Sequence, residues 1–282
     1  MNGTTNGHAK RLSVVVTGGA SGLGLSMVEY FASQGHAVTI FDVDAQAGHK
    51  IAPELTAKYP QAAAVNFKCC NVASWDAQAA AFREVYEKEG HVDVVMANAG
   101  VSEQGVSSLT LVDEEEPSQP RLRVLDVNLA GTIYTVKLAT HYIKKNQPDP
   151  VTGSRGCIIC TASNAGLYPF PVAPVYAASK AGVIGLVRSL ARVLERVHIQ
   201  INALAPAVLE SALSPSKALF EEMIITPHST LIKGVAQLVG DPSISGNVAE
   251  IHGEQVTLRP HHEYVDEATR ANMETFWKLG FA

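Results

Sequence analysis

A doubly wound α/β fold, with one parallel sheet carrying helices on both faces, is what this sequence predicts. Three observations carry the prediction. Short apolar, β-branched runs alternate with helix-periodic segments through most of the chain. A glycine-rich turn follows the first apolar run and opens a helix, the place where such folds bind phosphate. The 282 residues are 46% hydrophobic, enough for a sizeable core in one large domain.

The elements follow in order. Residues 1–10 are polar and read as a flexible N-terminus. "LSVVVT" (12–17) is a buried strand bounded by glycines. A helix is predicted over 22–34, stopping at Gly35. "HAVTIFD" is strand two, followed by a helix over 44–58, and "AAVNFKC" is strand three. "SWDAQAAAFREVYEKEG" is an amphipathic helix with Ser74 as its N-cap. "VDVVMANAG" is strand four, a long helix is predicted over 119–146, and "GCIICTAS" is strand five. A helix over 174–196 leads into "VHIQINALAP", strand six, and a helix over 229–239 precedes the strand "GNVAEI". The Pro- and Gly-containing segment 146–156 is an exposed loop. The irregular stretch 209–227 follows strand six, where long connections commonly serve as lids. "DEEE" (113–116) reads as a solvated loop.

Charge and composition narrow the function. A net charge of −5 argues against a nucleic-acid binder, which shows a basic domain or stripe. The N-terminal "MNGTTNGHAKRL" lacks the apolar run of a secretory signal, and no stretch approaches the ~18 apolar residues of a membrane span. A soluble, cytoplasmic protein is expected. Cys157 and Cys160 have redox or zinc spacing, but they fall on a strand, where residues three apart face opposite sides. With no second cysteine pair, buried structural thiols are the better reading, and no metal is expected. The adjacent histidines of "RPHHEY" (259–264) also point apart on an extended chain, so an exposed tail is expected there.

The turn "VVVTGGASGLG" places Gly18, Gly22 and Gly24, with Thr17, Ser21 and Leu23, between strand and helix. Glycine there lets backbone approach a pyrophosphate, and the helix N-terminus favours its charge. The pattern is T-G-x-x-x-G-x-G, with Met27 where many dinucleotide folds have a further glycine. Asp42 ends strand two, eighteen residues after Gly24, where a carboxylate accepts from both ribose hydroxyls and repels a 2′-phosphate. "FDVDAQA" contains no cation, so NAD is favoured over NADP. The plainer reading of Asp42, an N-cap for the next helix, suits Asp44 better. In "PVYAASKAG", Tyr176 and Lys180 lie one helical turn apart on one face.

Taken together, TGGASGLG, NAG (98–100), Asn128, Ser163, YAASK and NALAP resemble the short-chain dehydrogenase/reductase family, over about residues 11–251. The later region is similar to the NAD-dependent hydroxyprostaglandin dehydrogenases and their fungal relatives, on "TASNAGLYPFPVAPVYAASKAG" and "ITPHSTLIKGVAQLVGDPSISGNVAEI". The resemblance implies a single Rossmann-type domain, placed at 11–255, with a seven-stranded parallel sheet, a lid at about 207–227 and a C-terminal extension at 256–282. It implies a catalytic set of Asn128, Ser163, Tyr176 and Lys180. It implies a cofactor loop at Thr17, Gly18, Gly22 and Gly24, within which Ser21 and Leu23 are also expected to meet the cofactor, with Asn98, Ala99 and Gly100 beside the adenosine ribose. Lys180 would also meet the nicotinamide ribose, and Asn128 would hold a water relaying protons from Lys180.

The residue chemistry agrees. Oxidising an alcohol needs a base for the hydroxyl proton, and a free tyrosine, with a pKa of about 10, is too weakly acidic to serve at neutral pH. A lysine cation one turn away and a positive nicotinamide both favour the phenolate. Ser163 can hydrogen-bond the substrate oxygen as charge develops. In plainer readings, Ser163 caps a turn and Asn128 is an ordinary helical polar residue.

The sequence departs from the family pattern at four places. Ala207 stands for a usual glycine after Pro206, at a cost if positive φ is needed there. Leu209 replaces a Val or Ile that meets the carboxamide, and Ser211 replaces a threonine. Asn71, next to Val72, replaces an aspartate that meets adenine. Leu167, Tyr168, Phe170 and Pro171, with Gln104 and the 209–227 segment, form an apolar and aromatic substrate wall. A hydrophobic secondary alcohol oxidised to a ketone is the predicted substrate. Small residues Ala177, Ala178, Ala181, Gly182 and Gly185 on the Tyr176 helix favour close contact in a homodimer or homotetramer. Two other functions compete: a ketone reductase in a biosynthetic pathway, disfavoured by Asp42, and a catalytically idle cofactor-binding partner protein, disfavoured by the complete Asn–Ser–Tyr–Lys set.

Overall fold

Strand β1 (Ser13–Thr17) is buried along its whole length. Its β-branched side chains alternate between two core clusters, Val15 on one face of the sheet and Val14 and Val16 on the other. A parallel strand covered by helices on both sides has no polar face, which is why the sequence reads as an unbroken apolar run. The computed structural model describes residues 10–103, 107–209 and 222–280. The N-terminal segment 1–9, Gln104, Ser211 and most of the expected lid lie outside the described residues.

The other strands are β2 (Ala37–Asp42), β3 (Val65–Cys69), β4 (Val94–Ala97), β5 (Gly156–Thr161), β6 (Ile199–Pro206), β7 (Val248–His252) and β8 (Gln255–Arg259). They form one sheet in the order β3-β2-β1-β4-β5-β6-β7-β8. All adjacent pairs from β3 to β7 are parallel, and β8 pairs antiparallel with β7. The sheet therefore has one strand more than the seven expected, drawn from the stretch assigned to the C-terminal extension. Its signal is local: Gly253 and Glu254 form a two-residue hairpin turn, with His252 paired to Gln255.

Helices α1 (Gly22–Ser33), α2 (Ala45–Lys58) and α3 (Trp75–Glu89) start and stop close to their predicted places. Asp44 caps α2 by accepting from Ala47 N, and Ser74 caps α3 by accepting from Ala77 N. The long helix expected over 119–146 is shorter and broken. Residues 111–122 are irregular and exposed, since Pro117 and Pro120 lack amide donors and disfavour helix before them. Helical structure starts at α4 (Arg123–Leu125), widens into a π-helical turn over Asp126–Ala130 and continues as α5 (Gly131–Ile143). Helices α6 (Pro174–Glu195), α7 (His228–Gly240) and α8 (Glu267–Leu279) follow.

Helices α3, α5 and α6 cover one face of the sheet, and α1, α2 and α7 cover the other. Cys160 belongs to the first core and Cys157 to the second, so the "CIIC" thiols diverge as strand geometry requires. Burial pushes the Cys160 thiol up to about 12. The "RPHHEY" segment is exposed. Helix α8 lies against α6 through an Arg192–Glu274 ion pair (2.8 Å) and two guanidinium groups, Arg192 and Arg196, over the Trp277 ring. No described helix is long and apolar enough to cross a membrane.

Candidate active site

The strand order reverses beside β1, which pairs with β2 on one side and β4 on the other. A crevice forms at the carboxyl ends of strands at such a point. The glycine turn fills the floor of that crevice. Gly18 has φ +65°, and a Cβ there would stand 2.8 Å from Ala99 Cα. A Cβ on Gly24 would stand 2.1 Å from Gly18 O. Both positions therefore exclude a side chain. Gly22 and Leu23 open α1, preceded by Ser21, whose side chain makes no cap bond, and the first turn of α1 carries no acidic residue. That N-terminus presents its positive end with no acidic residue in its own first turn, which fits a pyrophosphate.

Asp42 closes β2 with its carboxylate aimed back at the turn. Its Oδ2 accepts from Ala20 N (3.0 Å) and its Oδ1 from Asp44 N (3.1 Å). At the end of β3, Asn71 is exposed and accepts from Ala73 N (3.0 Å), while Val72 is buried. Asn98, after β4, braces the turn: its Nδ2 donates to Thr17 O (3.1 Å) and its Oδ1 accepts from Thr161 Oγ1 (3.0 Å). Thr17 Oγ1 in turn accepts from the amides of Asn98 and Ala99 (2.9 and 3.0 Å).

Helix α6 carries Tyr176 and Lys180 on one face. Pro174 occupies its first turn, where a missing N–H costs nothing. Lys180 is 3% exposed and donates to Thr161 O (2.8 Å); its Nζ stands 5.6 Å from the centre of the Tyr176 ring. A Cβ added to Gly100 would approach both Asn128 Oδ1 (3.3 Å) and Lys180 Nζ (3.4 Å), so these two groups flank one point after β4. Ser163, at the end of β5, accepts from Ala165 N and donates to Asn164 Oδ1 (both 3.2 Å). It therefore does cap the short turn Asn164–Gly166. Its hydroxyl also lies close enough to the Tyr176 phenol to favour the phenolate.

Asn128 sits in the π-helical turn and is fully enclosed. Its Oδ1 accepts from Val101 N (2.8 Å), and its Nδ2 donates to Val101 O (2.9 Å) and Ser179 Oγ (3.1 Å). Both amide donors are thus committed to holding the segment after β4 against α6. Such a widened turn often marks a functional site.

Burial dominates the electrostatics. It lowers the Lys180 pKa to about 8, with the Cys160 thiol pulling weakly the other way. It raises the Tyr176 phenol above its ordinary value, opposed by the nearby Ser163 hydroxyl. The sequence predicts a phenol lowered by two cations, Lys180 and a bound nicotinamide, of which the chain itself carries the first. Removal from water outweighs that in the protein alone, because desolvation disfavours the phenolate.

The remaining predicted residues are placed as follows. Phe170 lies 6.2 Å from the Tyr176 ring, centre to centre. Leu167 packs against the core beside α6. The Tyr168 hydroxyl donates to Glu250 (3.1 Å), whose buried carboxylate also accepts from Arg259 Nε (2.8 Å). Pro206 ends β6, and Leu209 is buried in the core with Leu231 and Ile251. Ala207 N continues the sheet by donating to Ile251 O (2.9 Å). Its φ is negative, so alanine in place of the usual glycine carries no left-handed strain.

Sequence reasoning missed Glu103, whose Oε2 accepts from Tyr176 N (2.9 Å) at the start of α6. The partners are 73 residues apart. The one available signal was negative: Ala173, at the N-cap, has no side chain able to cap the helix. Ser179, Thr161, Glu250 and Arg259 were missed for the same reason, as partners brought together only by the fold.

A family model described as short chain dehydrogenase matches residues 13–221. Among curated proteins, the chain is 38% identical to the short-chain dehydrogenase/reductase prx4 of Penicillium roqueforti, over 72% of this chain and 56% of that one. The matched stretch thus spans little more than half of prx4. It is 32% identical to the 5'-hydroxyaverantin dehydrogenase stcG of Emericella nidulans, over 88% of this chain and 84% of that one. Among solved structures, levodione reductase superposes with a TM-score of 0.74 at 24% identity, covering 86% of this chain and 96% of that one. At that identity the likeness is one of fold.

Proposed function

The chain belongs to the short-chain dehydrogenase/reductase family, and from that premise we propose that it oxidises a hydrophobic secondary alcohol to a ketone, with NAD as cofactor. The reading is carried by one observation: the Tyr176 phenol, influenced by the nearby Ser163, shares its helix face with a buried Lys180. Tyr176 takes the hydroxyl proton of the substrate. Ser163 donates to the substrate oxygen, and Lys180, charged below about pH 8, holds positive charge against the phenol. Asn128 fixes the floor of this cluster, and a water beside it returns the proton to solvent by way of Lys180. Bound NAD would supply the acceptor for the carbinol hydride and a positive charge that favours the phenolate.

Thr17, Gly18, Ser21, Gly22, Leu23 and Gly24 would hold its pyrophosphate, and Asp42 the adenosine ribose. Asn71 and Val72 would border adenine, with Asn98, Ala99 and Gly100 alongside. Lys180 would hold the second ribose, and Pro206 and Leu209 the carboxamide end. Asp42 supports NAD over NADP, since a fixed carboxylate repels a 2′-phosphate. The name of the relative 5'-hydroxyaverantin dehydrogenase supports the oxidative direction. Exposed Ala178, Ala181 and Gly185 on α6 support pairing with a second copy.

The test is NAD reduction across a panel of secondary alcohols of increasing apolar bulk, with the matching ketones and NADH or NADPH as the reverse arm. The reading expects kcat/KM to rise with bulk. Bound NAD with no turnover of any alcohol or ketone would replace it with the idle-partner reading.

A further inference from the structure

A cavity of about 380 Å³ lies beside the catalytic cluster, between the segment after β4 and the irregular run before α4. Arg121 and Arg123 both line it. Among the described residues, neither guanidinium has an ion-pair or hydrogen-bond partner. Glu103, on the same wall, accepts from Tyr176 N (2.9 Å), and Glu114 accepts from Ser118 N (3.3 Å). Ser107, on the same wall, is 5% exposed, and its hydroxyl has no partner among the described residues. Buried hydroxyls are nearly always paired, so an orphan at a cavity wall marks a place for a ligand atom. Val175, which also lines the cavity, precedes Tyr176 in α6.

We propose that this cavity recognises a carboxylate or phosphate group, and that the group is the acidic end of the alcohol oxidised at Tyr176. Arg121 and Arg123 supply the charge, and their planar forks suit two oxygens of one anion. Ser107 supplies a third donor. Val101, Leu111, Val124 and Val175 give the same cavity an apolar side, suited to the chain that joins acid to carbinol. The substrate class becomes an amphipathic hydroxy acid or hydroxyalkyl phosphate. This rests on the alcohol oxidation proposed above.

The test uses ricinoleate, a secondary alcohol with a carboxylate, its neutral methyl ester, and inorganic phosphate, each titrated calorimetrically into the full chain. Arg121→Gln/Arg123→Gln is expected to weaken ricinoleate by about tenfold or more and leave the ester unchanged. Ser107→Ala should weaken the acid alone, by a few-fold. Equal loss of acid and ester, or no loss, overturns the anion site. Phosphate binding lost in the double variant, with acid and ester bound equally by wild type, overturns its assignment to the substrate. The binding contrast does not require turnover. If no alcohol is oxidised but the acid-specific loss persists, the anion site stands and the oxidation reading falls.

Discussion

Replacing Lys180 by methionine isolates what it takes to bury its charge. The side chain is 3% exposed, and burial brings its pKa from 10.5 to about 8. That fall corresponds to about 3 kcal/mol of penalty on the charged form in the folded state. The sign follows from proton counting. Between about pH 8 and pH 10.5 the unfolded chain still holds the lysine proton and the folded chain has released it, so stability rises with pH across that window. Below about pH 8 both states are protonated and the penalty is constant. Methionine removes the titration while keeping most of the volume. It also leaves Thr161 O without its donor, a loss of about 1 kcal/mol that does not vary with pH. Urea unfolding of both proteins, followed by far-UV circular dichroism at several pH values, gives the difference directly. Wild type should gain about 3 kcal/mol on the variant from neutral pH to about pH 10.5. A constant gap across that range refutes the buried-charge reasoning.

Two further predictions follow the same logic. Asp42→Ser removes a carboxylate oriented by two backbone amides, so NAD affinity should fall by about ten- to a hundredfold while NADP affinity rises, both read as Kd by fluorescence titration. Unchanged affinities would show that Asp42 does not face the ribose. Glu103→Ala strips the side-chain acceptor at the Tyr176 amide, and should lower stability by about 1 kcal/mol and reduce kcat with NAD Kd unaltered. A loss of NAD affinity equal to the loss of kcat would place Glu103 at the cofactor instead.

Much of the fold is legible because it follows local rules. Unbroken apolar runs gave the parallel strands, Ser74 and Asp44 cap where their positions suggest, and strand periodicity alone sends Cys157 and Cys160 to opposite cores. The failures have two physical origins, local signals too short to stand out and dependence on distant partners. The helix before β5 begins late because Pro117 and Pro120 break a run whose composition is otherwise helical, and its π-helical turn answers to Asn128 bonding Val101. Strand β8 adds on through a hairpin whose short alternation is weak beside the apolar parallel strands. At the site, the spacing of Tyr176 and Lys180 is a local feature, but the depth of their burial is set by β5, α6 and the segment after β4. The sequence therefore suggests which groups meet, while the burial that raises the phenol in the protein alone is a property of the fold.

The measurement that bears most directly on the central claim is single-turnover NAD reduction by Tyr176→Phe with an alcohol the wild type oxidises. Phenylalanine keeps the ring beside Phe170 and loses only the hydroxyl near Ser163. The account predicts NAD bound as in wild type and the chemical step slowed by about 10²–10⁴-fold, the loss of a positioned base. A variant that reduces NAD at the wild-type rate contradicts it.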